Sequence, residues 1–222
     1  MRLAHSYSAI KQFDNCSKQY YEIRILKKYK SKETEATTYG TAVHLAFEEY
    51  LRDKKQLPEN LKHYEKFVEP LARIPGETYC ELKLGLTADF QPCDFFDPAV
   101  WFRGIPDLLV VNRETGVARV VDFKTGKSSR FADTAQLQLL AAMVMQHFPE
   151  VQKVKGALLF VVANDLIKSE YTREQLPDIL SQWGGKASMI EKVVEKGVVS
   201  ARPSGLCKFC PVSDCAHNPS QE

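Results

Sequence analysis

No apolar run in this 222-residue chain approaches the roughly 18 residues that a membrane span requires. The first stretch, MRLAHSYSAIKQF, lacks the apolar core of a secretory signal. Both absences point to an intracellular, cytoplasmic protein with no membrane partner. Charge of one sign is also scarce, because 30 Lys and Arg against 28 Asp and Glu leave a net +2. A total so close to neutral neither demands nor rules out a polyanionic partner, since a basic groove can hide in a balanced sum. The most basic run, Arg24, Lys27, Lys28, Lys30 and Lys32, reads as a solvated loop. Cysteine is sparse and unevenly placed: Cys16, Cys80, Cys93, Cys207, Cys210 and Cys215. In a reducing compartment disulfides are disfavoured, and clustered cysteines bind metal more often. The length suits one domain with an appendage, or two small ones, of ordinary soluble composition.

What is present centres on residues 101–127, WFRGIPDLLVVNRETGVARVVDFKTGK. Residues 102–111 and 117–124 are rich in β-branched and aromatic side chains, and Glu114-Thr115-Gly116 between them is turn chemistry, so the stretch reads as a β-hairpin. A tight turn sets Asp107 opposite Asp122 or its neighbour, and alternation puts Asp122 and Lys124 on one face. Two carboxylates and an ammonium converging there have a plain alternative, an ion pair on a wet hairpin. Apolar flanks at Leu108–Val111 and Val120-Val121 instead suggest central strands, where unpaired charge is costly. That favours a hard-cation site, with acid oxygens holding Mg²⁺ or Mn²⁺ and the lysine beside bound water or a scissile phosphate.

Around the hairpin, residues 6–16 read as a short helix capped by Ser6 or Ser8, with more helix over 20–26. Residues 39–53 place Val43, Ala46, Phe47, Tyr50 and Leu51 at helical spacing; Gly40 permits close approach of another backbone. His44 borders that apolar face, and Glu48 one turn on either orients it or meets solvent. Residues 54–76 are polar with helical fragments, and His63 is a surface residue. Residues 77–86 read as a strand whose Glu81 is either a third site carboxylate or an acid paired with Lys83. Residues 88–98 are an aromatic, acidic loop. After the hairpin, Asp133 or Thr134 caps a helix with Leu137, Leu140, Ala141 and Val144 in a stripe and Gln136 in its first turn. Residues 154–163 form an apolar central strand, followed by helices over about 173–183 and 186–196. Cys80 and Cys93 read as packed thiols.

In the tail, Cys207, Cys210 and Cys215 carry metal-ligand spacing. Cys16 or His217 completes the set, and zinc and an iron–sulfur cluster are both chemically acceptable.

Gly104-Ile105-Pro106-Asp107 followed by Asp122-Phe123-Lys124-Thr125-Gly126 resembles the PD-(D/E)xK nuclease superfamily, and most resembles its RecB-like exonuclease branch. The helix bearing Gly40 and His44, and the Ser-x-Ser, cysteine and aromatic pair at 6–21, match that branch. Two departures stand out: Ser17 where proline usually follows the cysteine, and Leu140 where a tyrosine usually follows Gln136. The resemblance implies a restriction-endonuclease-like α/β fold, a mixed central sheet flanked by helices, in one nuclease domain over 1–222. It further implies that 1–30 and 200–222 form a lobe in which Cys16, Cys207, Cys210 and Cys215 bind a 4Fe–4S cluster, with zinc the alternative. By the same resemblance His44, Asp107, Asp122 and the Phe123 carbonyl hold Mg²⁺ or Mn²⁺, Lys124 orients the attacking water, and Gln136 positions the lysine or a phosphate. The implied activity is metal-dependent DNA exonuclease action, preferring single strands or free ends, in recombination, repair or CRISPR and phage DNA processing. Protein partners or self-association fit such a role. The absence of a helicase motif argues against a fused recombination enzyme. The rival expectation is a non-catalytic subunit that binds DNA ends or a partner on a nuclease-like scaffold.

Overall fold

A computed structural model describes residues 3–30 and 34–219, which leaves Lys32 of the basic run outside the described residues. The chain forms two compact units, one of residues 34–181 and one of residues 1–33 with 182–222.

The larger unit is built on a mixed five-stranded sheet in the order β1-β5-β6-β7-β8. Its strands are β1 (Glu77–Cys80), β5 (Leu108–Asn112), β6 (Val117–Lys124), β7 (Lys153–Phe160) and β8 (Asp165–Thr172). Only β6 and β7 run parallel. The crossover between them carries α5 (Ala135–His147), as a parallel pair requires. A second sheet of β2 (Leu84–Leu86), β3 (Pro92–Cys93) and β4 (Phe102–Gly104) lies in the order β3-β2-β4.

The strands expected over 77–86 and 102–111 are each broken in two, while 117–124 is continuous. One antiparallel ladder pairs Cys80 with Leu108 and, at the same offset, Leu84 with Gly104. Between these points Glu81–Lys83 faces Ile105–Asp107 and neither side is regular strand. Pro106 has no N–H to give the ladder, and Glu81 takes a positive φ of 52°. The interruption therefore falls where the acids are.

The sheet is flanked by helices on both faces. On one face α3 (Glu35–Asp53) and α4 (Glu65–Ala72) bury Val43, Phe47, Leu51 and Val68 against Leu108, Val110, Val121 and Phe123. Thr34 caps α3 by a reciprocal capping box with Thr37, so the helix begins four residues ahead of the expected start at residue 39. On the other face α5 is buried through Leu139–Met145 on every side, because it touches both sheets. Gly104 allows that contact: a Cβ there would sit 2.7 Å from Met143 Sδ.

The smaller unit contains α1 (Tyr7–Asn15), α2 (Ser17–Tyr20) and a wider-wound turn over Tyr21–Ile25. Ser6 caps α1 by accepting from the Ala9 amide at 3.3 Å. The helix α6 (Leu176–Lys196) is continuous, where two helices were expected. Leu176, Ile179, Leu180, Trp183, Ala187 and Ile190 are all buried, so one apolar stripe carries the helix through Gly184-Gly185. No helix among the described residues is long and apolar enough to cross a membrane.

Candidate active site

Extending the β1–β5 and β5–β6 registers by one residue puts Glu81, Asp107 and Asp122 in one row across three adjacent strands. The Glu81 amide donates to the Asp107 carbonyl at 3.2 Å, which fixes the row despite the broken ladder. The Phe123 amide donates to Asp107 Oδ2 at 2.6 Å and so anchors that carboxylate to β6.

His44 comes to the row from α3, with Nδ1 3.3 Å from Asp107 Oδ1. Its ring meets the Phe123 ring edge-on at 6.0 Å, and Phe123 is in turn buried against Phe47 at 4.9 Å. One ligand atom each from His44, Glu81 and Asp107 all lie within 4.8 Å of one another, the one such metal-competent group among the described residues. Gly40, one turn before His44, lies against the Thr125 hydroxyl rather than against backbone, its ideal Cβ 3.1 Å from Thr125 Oγ1. Glu48 ion-pairs with Arg52 and does not hold His44.

Asp122 and Lys124 point to the α5 side, where Gln136 bridges them. Lys124 Nζ donates to Gln136 Oε1 at 2.9 Å, and Gln136 Nε2 donates to Asp122 Oδ1. Lys124 Nζ also lies 2.5 Å from Asp122 Oδ2. That contact is close but poorly directed, and Oδ2 is buried without a hydrogen-bond donor.

Three carboxylates with one ammonium leave excess negative charge. Burial first, then the charges of Asp107 and Glu48, push Glu81 up to about 7. Burial and Asp107 likewise raise Asp122. Burial opposes a charged His44, but its hydrogen bond to Asp107 and the surrounding acids outweigh that and raise it. A hard divalent cation suits such a donor set, because it offsets the charge that holds these acids protonated.

Every nuclease residue singled out in the sequence reaches this row or its neighbours. Phe123 contributes its amide and ring directly. Glu81, left between two roles, sides with the acids, while Lys83 turns to an aromatic ring, its Nζ 5.3 Å from the centroid of Phe96. The signal for Glu81 lies in the ladder: it sits opposite Asp107 at an offset legible only once the strands are paired.

In the smaller unit Cys16, Cys207, Cys210 and Cys215 line one cavity of about 70 Å³, together with His217. That is several times the roughly 10–15 Å³ a single water needs. Amide donors converge on the sulfurs: Gln19 N and Arg202 N on Cys16 Sγ, both at 3.5 Å, and Ser204 N on Cys207 Sγ at 3.4 Å. The Gln19 side chain adds a donor to Cys210 Sγ at 3.3 Å. Four cysteine sulfurs lining one cavity suit a thiophilic metal group, and zinc and an iron–sulfur cluster are both chemically acceptable there.

No curated protein matches the chain. Among solved structures, a chain from Eubacterium rectale described provisionally as an exonuclease is 15% identical at a TM-score of 0.56, over 99% of this chain and 88% of that one. The crystal structure of SSO0001 is 12% identical at a TM-score of 0.49, over 98% and 88%. The sequence profile of the PD-(D/E)XK nuclease superfamily matches residues 4–215, nearly the whole chain. The chain belongs to the PD-(D/E)XK nuclease superfamily.

Proposed function

We propose that this nuclease is a metal-dependent DNA exonuclease of the RecB-like branch that prefers single strands or free ends. One observation carries the reading: Lys124, held by Gln136 and Asp122, stands beside a row of acids and a histidine able to hold a divalent cation. A surface Asp–Lys pair would need none of these neighbours.

His44, Glu81, Asp107 and Asp122, with the Phe123 carbonyl, would hold Mg²⁺ or Mn²⁺. Such an ion supplies a lowered pKa for a coordinated water and positive charge beside the phosphate. The chain's own groups do the rest. Gln136 orients the Lys124 ammonium and keeps it off Asp122 Oδ1. Lys124 then donates to the water or to the negative charge that develops on the phosphoryl oxygens. The Phe123 amide fixes the rotation of Asp107, so its other oxygen faces His44. Apolar packing by Phe47 and Phe123 locks the His44 helix onto the row.

The cysteine cavity reads as the seat of a 4Fe–4S cluster that joins the two chain ends, supported by the four cysteines that line it, its size and the amides aimed at the sulfurs. Recombination, repair and CRISPR or phage DNA processing are the settings in which such a nuclease acts, alone or with protein partners.

The test is cleavage of single-stranded DNA labelled at either end, with Mn²⁺ or Mg²⁺ and anaerobically purified protein. Wild type should degrade it, and Lys124→Ala should be slower by about 10²–10³, the loss expected for one transition-state donor. Equal activity in the two proteins defeats the mechanism. Tight DNA binding in EDTA with no cleavage on adding metal would favour the non-catalytic scaffold.

A further inference from the structure

We propose that Phe96, framed by Phe95, Lys83 and Arg103, is a binding site for one nucleobase of a single strand. The proposal rests on the nuclease reading above and gives its strand preference a physical cause.

Phe96 is 69% exposed in the loop between β3 and β4. One exposed phenylalanine needs no explanation. Here, however, two phenylalanines and two cations converge. The Phe95 and Phe96 rings meet edge to face at 5.0 Å. Arg103 Cζ lies 5.2 Å from the Phe95 centroid and 5.7 Å from that of Phe96, and Lys83 Nζ lies 5.3 Å from Phe96. Arg103 Nε is buried with no hydrogen-bond partner among the described residues. Phe96 keeps most of its surface open although Lys83 and Arg103 both lie over its ring.

The loop is held rather than loose. Asp97 N donates to the Asp94 carbonyl and Val100 N to the Asp97 carbonyl, both at 3.0 Å, and the Ala99 amide donates to Asp97 Oδ1 at 2.6 Å. Arg103 pairs with Gly85 in the ladder that also places Glu81 opposite Asp107. Four residues separate the two pairs, so at most about 14 Å of chain lies between them. The patch therefore stands within a few nucleotides of the acidic row.

A nucleotide offers the π-face of its base to Phe96 and its phosphate to Lys83 or Arg103, and every base has such a face, so recognition is tolerant of sequence. In a duplex those faces are hidden in the stack. The site thus selects single strands and frayed ends. Asp94 and Asp97 flank the rings, so the patch carries little net positive charge, and stacking rather than phosphate attraction is its contribution.

The experiment measures binding of a fluorescein-labelled oligothymidine and of a blunt duplex of equal length to full-length protein in EDTA, where no cleavage occurs. Phe96→Ala should weaken single-strand binding about five- to a hundred-fold, as expected for one lost base stack. Duplex binding and the salt slope should stay unchanged, because no phosphate contact is removed. Phe96→Trp should bind like wild type, and Phe96→Leu, apolar but without a π-face, should bind as poorly as Phe96→Ala. Wild-type single-strand affinity in Phe96→Ala or Phe96→Leu overturns the site, as does equal loss on single strand and duplex, or no single-strand binding by wild type. Thermal melting checks folding, and so exposed a side chain should leave it intact. Cleavage with Mn²⁺ is scored separately. An active wild type whose Phe96→Ala variant binds normally sinks the base site alone, whereas an inert wild type sinks the nuclease reading.

Discussion

Gln136 holds two unlike groups with the two ends of one amide: its oxygen accepts from Lys124 and its nitrogen donates to Asp122. A leucine there keeps the bulk and loses both bonds, leaving the ammonium held by Asp122 alone. Gln136→Leu should lower kcat about ten- to a hundred-fold with little change in KM for DNA, the range for groups that orient active residues; single-turnover kinetics would show it, and an unchanged rate removes the orienting role. The acids make a second prediction. In metal-free protein Glu81 is raised to about 7 from 4.5, and Asp122 and His44 are raised as well. Groups whose folded pKa exceeds the unfolded value bind protons more tightly when folded, so they stabilise the fold as pH falls and lose that contribution as pH rises through the folded pKa. The metal-free protein should therefore melt higher at about pH 6 than at about pH 8. A divalent cation needs the same groups unprotonated, so saturating Mn²⁺ should raise Tm more at the higher pH. Calorimetric scans that show equal metal-induced shifts at both would break the link between these acids and the ion.

At the scale of elements, the sequence was most legible where one period dominates a stretch. The second hairpin arm, the helix of His44 and the helix of Gln136 all fall where their apolar spacing predicts. Three features were hidden, each for a physical reason. The breaks at Glu81 and Pro106 lie within stretches of strand-like composition, and only their facing each other across the ladder shows them as one feature. The edge strand β8 went unread because its pattern is mostly polar, with Leu166, Lys168 and Glu170 exposed on one side. The Gly184-Gly185 pair suggested a helix break, yet burial of Trp183 and Ala187 on either side holds α6 in one piece. That override is testable. A Cβ at Gly185 meets nothing within 4 Å, so Gly185→Ala should gain about 0.5–1 kcal/mol from lower backbone entropy in the unfolded chain. For a chain of this size that is a Tm rise of roughly 1–4 °C. A fall in Tm would mean that the helix needs glycine there.

At the scale of the whole chain, the larger unit carries its own apolar core, from Phe47 and Leu51 through Val110 to Leu159. The smaller unit takes residues from both ends of the sequence. Its apolar packing rests on a few side chains such as Ile10, Phe13, Tyr20 and Val212. Ser17 donates to the Ser200 carbonyl at 3.0 Å and accepts from the Ser200 amide at 3.1 Å, a tie between the two ends of the chain. The four cysteines are divided in the same way, one from the first helical segment and three from the tail. Where ligands come from distant parts of a chain, the free energy of binding the group is free energy of folding. The proposed cluster should therefore govern the smaller unit far more than the larger. Anaerobically purified protein should contain iron and sulfide in equal amounts and little zinc. After oxidative removal of the cluster, limited proteolysis should cut first within 1–33 and 182–222 and leave a resistant fragment near 34–181, identified by mass spectrometry. Cys210→Ser should show the same pattern without oxidation. Iron-free protein that resists cleavage throughout would mean that hydrogen bonds such as the Ser17–Ser200 pair hold the smaller unit without any metal, and the cysteine cavity would then need another explanation.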